Sequence, residues 1–368
     1  MKSTDVFVVG GGPAGLAAAI AARQCGLRVV VADAGEAPID KTCGEGLMPD
    51  GLLALQGLGI TLKCGDGHPF RGIRFFSSGL SAEARFPSRG VGLSIRRTKL
   101  HATMAERAAE NGVESLWRTA VTGISGEEGH LGHRTVRAKW LVGADGANSR
   151  VRRWAGLDAS ASTCLRYAFR QHYRATAWSD HMEIYWGGRS QGYATAVSDD
   201  EVCVAVASHD AKLRVNKALT ALPELNARLR GAEAVSAERG ALTANRTLKR
   251  VYRRNVALIG DASGTVDAIT GQGLGLSFSQ AVALAQCLRS GNLEPYQAEH
   301  RRLALRPLLM ARLMLTLDGR PWLQRRALQV FRRKPEIFER LLAVHVGALS
   351  PRSVALDGIS FGWGLLTA

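Results

Sequence analysis

Several features that would assign this chain to a familiar class are absent from its sequence. No apolar run reaches the ~18 residues that a membrane span needs, and the N-terminus has no apolar signal core. The six cysteines form no CxxC pair and no spacing typical of zinc ligands or of a disulfide framework. We therefore expect a cytoplasmic protein with reduced thiols and no metal site.

Acidic residues are scarce relative to basic ones. The 48 Lys and Arg outnumber the 32 Asp and Glu, which gives a net charge of +16 and favours anionic partners such as phosphates or acidic lipids. No zinc-finger, RNP-like or basic-zipper motif accompanies this charge, so we expect no nucleic-acid partner. The 368 residues suffice for two domains, or for one α/β domain with an insertion.

A Gly-rich turn near the N-terminus is the first recognisable motif. The stretch VVGGGPAGLAAAIAARQCGLRVVVAD predicts a strand, a helix and a second strand, with three glycines in GxGxxG spacing and an acid after the second strand. Such a turn brings backbone N–H groups and a helix N-terminus to a pyrophosphate, while the acid accepts ribose hydroxyls. The predicted dinucleotide contacts are Gly10, Gly12, Pro13, Ala14, Gly15 and Asp33.

Two distant segments extend this motif. GADGANSRVR at 143–152 resembles the GADGxxSxVR segment of the FAD-dependent class A monooxygenases, the p-hydroxybenzoate hydroxylase-like group. GDASG at 260–264, followed by ITGQG at 269–273, resembles a segment of the same superfamily and is most similar to the GDAAG and TGEG form of its geranylgeranyl reductase branch. The resemblance covers roughly residues 4–290 and implies FAD as the bound cofactor.

The resemblance and the strand patterns together predict an α/β fold. We expect a Rossmann-like FAD-binding domain of the glutathione reductase type over residues 1–156 with 245–295. Alternating apolar strands between Gly and Asp turns predict an inserted, mainly antiparallel substrate domain over 157–244. A helical region is expected over 296–368.

The resemblance also assigns cofactor contacts in the later segments. Asp261 would accept a hydrogen bond from a ribityl hydroxyl, and the backbone N–H groups of 271–273 would face the pyrimidine edge of the flavin. Arg97 would lie near the pyrophosphate, the alternative being a solvated arginine at a helix start. The predicted contacts from these segments are Arg97, Asp145, Gly260, Asp261, Gly271, Gln272 and Gly273.

No second nucleotide fingerprint is present, so the resemblance implies NAD(P)H as a transient electron donor. Arg150, Arg152 and Arg153 offer a basic landing area for it, although a solvated basic turn explains them equally well. The segment KTCGEGLMP resembles a CG-containing loop that lies beside the flavin in geranylgeranyl reductase-like proteins. Cys43 and Glu45 are therefore the candidate catalytic residues, against the alternatives of a packed thiol and a structural carboxylate.

Three flavin chemistries remain open after these assignments. The reductase branch is expected to carry a YxWxFP-like element where this chain has GYATAVS, and the WxWxIP string of flavin halogenases is absent. We therefore expect an FAD-dependent monooxygenase that uses NAD(P)H and O2 to oxidise a hydrophobic aromatic or polyketide-like molecule. The alternatives are an alkene reductase and a flavoprotein that acts on a partner protein.

The C-terminal part of the chain is basic and amphipathic. From Tyr296 to His345 it has eleven Lys or Arg and four Asp or Glu, among apolar clusters. This pattern favours peripheral contact with an anionic membrane or docking of a protein partner, the alternative being solvated helices around the FAD-binding domain.

Overall fold

The computed structural model describes residues 2–63, 65–158, 160–354 and 362. Its strands are β1 (Lys2–Val9), β2 (Val29–Ala32), β3 (Gly46–Leu47), β4 (His68–Phe70), β5 (Gly72–Ser77), β6 (Leu80–Arg85), β7 (Gly92–Ser94), β8 (Glu114–Leu116), β9 (Gly123–Ser125), β10 (Glu128–Leu131), β11 (Arg134–Gly143), β12 (Ser160–Arg174), β13 (Met182–Trp186), β14 (Ser190–Ala196), β15 (Glu201–Ser208), β16 (Glu233–Ala234), β17 (Arg239–Leu248), β18 (Tyr252–Arg253), β19 (Val256–Leu258) and β20 (Gly264–Thr265). Its α-helices are α1 (Pro13–Gln24), α2 (Pro49–Gly57), α3 (Arg97–Glu110), α4 (Arg150–Trp154), α5 (Val215–Leu219), α6 (Pro223–Arg228), α7 (Gly273–Ser290), α8 (Glu294–Leu317), α9 (Pro321–Arg333) and α10 (Pro335–His345).

The first sheet is the nucleotide-binding unit that the N-terminal motif predicts. Its order is β18-β19-β11-β1-β2-β8, and β1 pairs in parallel with both β11 and β2. The strands are apolar runs because helices cover both faces of the sheet, and α1 buries every residue from 15 to 22. The carboxyl ends of β1, β2, β11 and β19 meet at one edge, where ligands of such sheets bind.

The second sheet is mainly antiparallel, with the order β20-β17-β12-β15-β14-β13-β5-β6. This differs from the predicted domain boundaries, because β5 and β6 lie outside 157–244 and still complete the sheet. The segment 72–85 is included in the predicted FAD-binding domain, residues 1–156 with 245–295. Its partner, β13, lies about 100 residues away in the chain, and such long-range pairing is invisible to local pattern.

Helices cover both faces of the second sheet. On β13, Met182, Ile184 and Trp186 face a cluster shared with α8, α9 and α10, whereas Tyr185 faces a cluster shared with α5 and α6. This alternation is the side-chain period of a strand buried on both sides. The C-terminal helices therefore pack over one face of the antiparallel sheet, against β5, β6 and β13. Within the described ranges, no helix combines the length and the apolar character that crossing a bilayer demands.

Candidate functional site

A single continuous cavity of about 840 Å³ lies where the two sheets and the C-terminal helices meet. Glycine-containing turns from three distant segments line one part of it, and apolar side chains line the rest. The predicted cofactor residues that line it are Gly10, Gly12, Pro13, Ala14, Asp33, Arg97, Asp145, Gly260, Asp261, Gly271 and Gly273, together with the candidates Cys43 and Glu45. The fold therefore brings together segments that are more than 200 residues apart in the sequence.

The turn between β1 and α1 shows why each glycine is needed. Gly10 has a φ of 107°, and a Cβ atom there would lie 2.5 Å from the carbonyl oxygen of Ala144. A Cβ atom at Gly15 would lie 1.8 Å from the carbonyl oxygen of Gly10, so α1 packs directly against the turn. Gly12 differs, because it lines the cavity and a Cβ atom there would meet no atom within 4 Å. The three positions supply a tight turn, an open approach for a pyrophosphate and close helix packing.

Asp33 follows β2 at the same edge of the parallel sheet. Its Oδ2 accepts the N–H of Gly11 at 2.6 Å, and its Oδ1 accepts the N–H of Gly35 at 2.7 Å. These bonds fix the orientation of the carboxylate, and each oxygen keeps a further lone pair for a ribose hydroxyl. The position agrees with the predicted role, and the sugar contact itself stays a prediction.

Asp145 lies in the turn after β11, and its carboxylate serves the start of α4. Its Oδ1 accepts the hydroxyl of Ser149 at 2.5 Å, while its Oδ2 accepts the N–H groups of Arg150 at 2.7 Å and Val151 at 3.1 Å. The first N–H groups of a helix have no partner within the helix, so these bonds hold the turn in shape. Asp145 therefore shapes the cavity wall, and a direct contact with the cofactor stays a prediction.

The third segment begins after β19. Gly260 has a φ of 59°, and a Cβ atom there would lie 2.6 Å from the Cβ of Ala14, so the segment lies against the first turn of α1. The Asp261 side chain is 48% exposed and lies 3.6 Å from the Nζ of Lys41. Its carboxylate is thus accessible to a polyol at the predicted place.

The loop before α7 contributes through its backbone. Gly271 has a φ of 64°, a left-handed conformation that favours glycine, and Gly273 begins α7. The side chain of Gln272 is buried, and its Nε2 donates to the carbonyl oxygen of His345 at 2.5 Å. Gln272 therefore ties this loop to α10, and its expected contribution to a flavin comes from its N–H group.

Arg97 is the first residue of α3 and is only 4% exposed, which excludes the solvated alternative. Burial lowers the pKa of its guanidinium. Its Nη1 is buried and has no hydrogen-bond partner within the described part of the chain. A buried guanidinium nitrogen requires an acceptor, and a pyrophosphate or a flavin carbonyl is one.

The loop 41–47 places both candidate catalytic residues at the cavity. Burial raises the pKa of the Cys43 thiol, and its Sγ accepts the N–H of Glu45 at 3.3 Å. Glu45 is 2% exposed and has a φ of 60°, which is uncommon for a residue with a side chain. Its Oε1 accepts the N–H of Arg97 at 2.9 Å, and its carbonyl oxygen accepts the N–H of Ile95 at 2.9 Å. Both ends of Glu45 are thus held in place.

His172 forms a buried hydrogen bond with Glu45, in which Nε2 and Oε2 lie 2.6 Å apart, and the sequence did not reveal this pairing. The sequence motifs assign no role to His172, Arg96 or Arg170. The spacing Arg170-x-His172 on β12 places both side chains on one face of the strand, which was the available signal. Pairing with a loop more than 120 residues earlier carries no sequence signature.

One cluster of side chains has the composition of a metal site. It consists of Glu45, His172 and Cys203, whose potential metal-ligand atoms lie within 4.8 Å of one another. Burial raises the pKa of Cys203 well above its ordinary value, which disfavours the thiolate that binds metals. The guanidinium groups of Arg96 and Arg170 also lie against His172, at 2.6 Å and 3.1 Å from its Nδ1. Nearby positive charge of this kind opposes a divalent cation, so we interpret the cluster as a hydrogen-bonded network.

The predicted landing area for a nicotinamide donor needs one correction. Arg152 is 2% exposed, its Nε donates to Asp158 at 2.7 Å, and its Nη2 donates to the Ala147 carbonyl at 2.8 Å. It is therefore a structural residue of the turn, because its charge is already paired. Arg150 and Arg153 remain exposed.

Aromatic side chains from the sheet and the C-terminal helices form the apolar part of the cavity. Phe75 stacks on Trp186 with ring centroids 4.6 Å apart and lies 5.5 Å from Phe338. Phe338 in turn stacks on Phe331 at 4.6 Å. All four residues line the cavity, so β5, α9 and α10 contribute to it in addition to the predicted substrate segment.

A parallel sheet with a GxGxxG turn, joined to an antiparallel sheet across a cavity, defines a dinucleotide-binding protein. The chain belongs to the FAD binding domain family, whose model matches residues 3–299. It is 30% identical over 326 residues to the menaquinone reductase of Mycolicibacterium smegmatis. The aligned region covers 80% of this chain and 78% of that protein. It is 28% identical over 339 residues to the digeranylgeranylglycerophospholipid reductase of Methanocella arvoryzae, covering 82% and 84%.

The fold of the chain is also similar to that of a solved structure. A flavoprotein/dehydrogenase from Cytophaga hutchinsonii superposes with a TM-score of 0.85 and 17% identity over 100% of both chains. The chain is thus an FAD-dependent oxidoreductase, and the predicted superfamily and fold are confirmed. The residues present fit FAD, since Gly12 leaves room for a phosphate, Arg97 has an unpaired buried nitrogen and Asp261 is accessible to a polyol.

Proposed function

We propose that this oxidoreductase saturates carbon–carbon double bonds in the isoprenoid chain of a lipid. The observation that carries the proposal is the continuity of the cavity, whose FAD-binding wall passes directly into a section lined by apolar side chains. That section lies between the antiparallel sheet and the C-terminal helices. A hydrocarbon chain held there would have its reacting part beside the flavin.

The relatives support this choice of substrate. The names menaquinone reductase and digeranylgeranylglycerophospholipid reductase each contain a molecule with an isoprenoid chain, and both proteins match about four fifths of this chain. The missing YxWxFP-like element was the sequence argument against reduction. In the structure its place is taken by β14, where Tyr193 lines the cavity and donates to the Ile269 carbonyl at 3.4 Å.

Saturation of a double bond takes a hydride at one carbon and a proton at the other. A bound FAD would supply the hydride after NAD(P)H has reduced it. Cys43 is the candidate proton donor, because it lines the cavity and its thiol has a proton to donate. The apolar walls orient the chain and exclude water. NAD(P)H would reduce the flavin as a transient donor, with Arg150 and Arg153 attracting its phosphates.

Hydroxylation of a hydrophobic aromatic molecule, as expected from the sequence, is the second candidate. The stacked rings of Phe75, Trp186 and Phe338 favour it, because such a wall suits a flat aromatic substrate. The same rings also suit the quinone head of a prenylated quinone.

Mass spectrometry of the product distinguishes the two chemistries. FAD-loaded protein would be incubated with NADPH and either geranylgeraniol or menaquinone in detergent, with and without oxygen. A product that gains two hydrogens per double bond without oxygen supports reduction, whereas a product that gains oxygen only under air supports hydroxylation. Cys43→Ser should lower product formation and leave flavin reduction by NADPH unchanged. Cys25→Ser, a cysteine outside the cavity lining, is the matched control.

A further inference from the structure

One face of α8 combines exposed leucines with arginines. Leu305 is 57% exposed and Leu309 is 41% exposed, and Arg301 and Arg312 are exposed one turn before and after them. The spacings of four, four and three residues follow the helical repeat of about 3.6, so these side chains form one stripe. This side of α8 is therefore both basic and partly apolar, the composition of helices that lie at a lipid interface.

The start of α9 continues this composition. Trp322 is 59% exposed, Arg325 is exposed, and the guanidinium carbon of Arg326 lies 5.6 Å from the Trp322 ring centroid. Tryptophan beside arginine is typical of side chains at the level of lipid head groups, where the ring contacts apolar matter and the cation meets phosphate. We call the exposed residues Arg301, Leu305, Leu309 and Arg312 of α8, together with Trp322 and Arg325 of the following helix α9, the α8–α9 face.

Acidic side chains are almost absent from this region. From Arg301 to Lys334 the chain has ten basic residues and one acid, Asp318. The carboxylate of Asp318 is only 12% exposed and lies 3.3 Å from the Nε of Arg166, so its charge is turned inward and paired. The first turns of α8 also contain Glu294 and Glu299, and Glu299 pairs with Arg302. From residue 301 onward the outer charge of α8 and α9 is positive, which is complementary to an anionic surface.

The opposite side of the same two helices forms the wall of the cavity. Met310, Leu313 and Met314 of α8 and Phe331 of α9 line it. Only the thickness of one helix layer therefore separates the α8–α9 face from the apolar section of the cavity. A helix with one apolar side on a cavity and a basic, partly apolar side outward is suited to lie in a lipid interface.

We propose that the α8–α9 face docks on the surface of an anionic lipid bilayer. Arginines would contact lipid phosphates, while Leu305, Leu309 and Trp322 would enter the head-group region. The docking does not require the reaction. The further statement that docking gives access to a lipid substrate rests on the proposed function. A lipid surface is the expected partner because positive charge and exposed apolar side chains occur together on the α8–α9 face.

Co-sedimentation with vesicles tests the docking without any turnover. Wild-type protein loaded with FAD should bind vesicles that contain phosphatidylglycerol and should bind pure phosphatidylcholine vesicles at least about tenfold more weakly. Arg312→Glu with Arg325→Glu should weaken binding to the anionic vesicles by roughly thirtyfold or more, since each basic residue contributes about fivefold. Lys212→Glu with Lys217→Glu, an equal charge change on and before α5, is the matched control and should leave binding within about twofold.

The apolar part of the proposal has its own readout. Brominated lipids in the vesicles should quench Trp emission in the wild type, and Trp322→Phe should remove most of that quenching. Equal loss of binding in the Arg and the Lys pairs would overturn the proposal, because it would reflect net charge alone. A wild-type dimer in solution that Trp322→Ser turns into a monomer would also overturn it, because the face would then be covered by a second copy.

Failure of the docking and failure of the proposed function can be distinguished. The product assay is carried out in detergent and needs no vesicles. Saturated product in detergent together with absent vesicle binding would refute the docking alone.

Discussion

Glu45 and His172 share a buried hydrogen bond in which the Oε2 and Nε2 atoms lie 2.6 Å apart. On the other side of the ring, Nδ1 lies 2.6 Å from the Nη1 of Arg96 and 3.1 Å from the Nη1 of Arg170. A guanidinium group only donates, so Nδ1 must accept and the proton of the neutral imidazole is on Nε2. His172 therefore donates to the Glu45 carboxylate, and the arginines fix this tautomer.

Glu45→Gln should destabilise the protein although it preserves the shape of the side chain. The carboxylate accepts two donors, the N–H of Arg97 and Nε2–H of His172, whereas an amide has one oxygen and would set its NH₂ group against the other donor. A buried donor left unpaired costs about 1–3 kcal/mol. We expect the free energy of unfolding in urea to fall by this amount and Cys43 to react faster with thiol reagents.

Glu106→Gln is the control for this prediction, because Glu106 is exposed on α3. It should behave as the wild type. Unchanged stability and thiol reactivity of Glu45→Gln would contradict the hydrogen-bond assignment.

Alanine at Gly12 and at Gly15 should have opposite consequences. A Cβ atom at Gly15 would lie 1.8 Å from a carbonyl oxygen, so Gly15→Ala should lower the melting temperature of the protein or prevent folding. A Cβ atom at Gly12 would meet no atom of the described residues within 4 Å, so Gly12→Ala should fold normally. It should nevertheless lose most of its bound FAD, because the methyl group would occupy the approach of the pyrophosphate. Flavin absorbance per protein and thermal unfolding measure both effects, and full FAD occupancy of Gly12→Ala would refute the pyrophosphate position.

Asp261→Ala should separate cofactor binding from stability. The side chain is about half exposed and lies 3.6 Å from Lys41, a surface ion pair that contributes little to stability. We expect unfolding within about 0.5 kcal/mol of the wild type and an FAD affinity lower by roughly tenfold, as for the loss of a hydrogen bond to a charged group. Gel filtration with flavin absorbance measures retention, and retention at the wild-type level would contradict the ribityl contact.

Two buried histidines should make the protein sensitive to acid. Burial lowers the pKa of His300 and His345 to about 4, whereas a histidine of the unfolded chain titrates near 6.5. Between these values the unfolded state binds more protons, so the free energy of unfolding rises with pH. The stability present above about pH 6.5 is thus lost as the pH falls towards about 4, by at most roughly 3 kcal/mol per histidine.

Urea unfolding at several pH values checks this dependence. His300→Gln should lower the slope of stability against pH in that window, because it removes one of the buried histidines whose pKa falls on folding, whatever its effect on absolute stability. His133→Gln, at an exposed position, should keep the wild-type slope. An unchanged slope in His300→Gln would show that His300 does not titrate differently on folding.

Local signals in the sequence were sufficient to predict the glycine-containing turn that lines one part of the cavity. Gly10, Gly12 and Gly15 have fixed spacing because turn, phosphate approach and helix packing all occur within one turn of chain, so the motif is readable without a structure. The prediction for Arg97 was of the same kind, although only the structure distinguished its buried position from a solvated one.

What the sequence by itself determined is therefore the βαβ unit, the family and the glycine-containing segments that line one cavity, because each is encoded in residues close together in the chain. Only the tertiary structure decided that β5 and β6 complete the antiparallel sheet, that His172 pairs with Glu45 and that Arg152 is turned inward. These relationships join residues distant in the chain or depend on which way a long side chain turns. Their free energy comes from packing and burial in the folded molecule, and no periodicity or spacing records it.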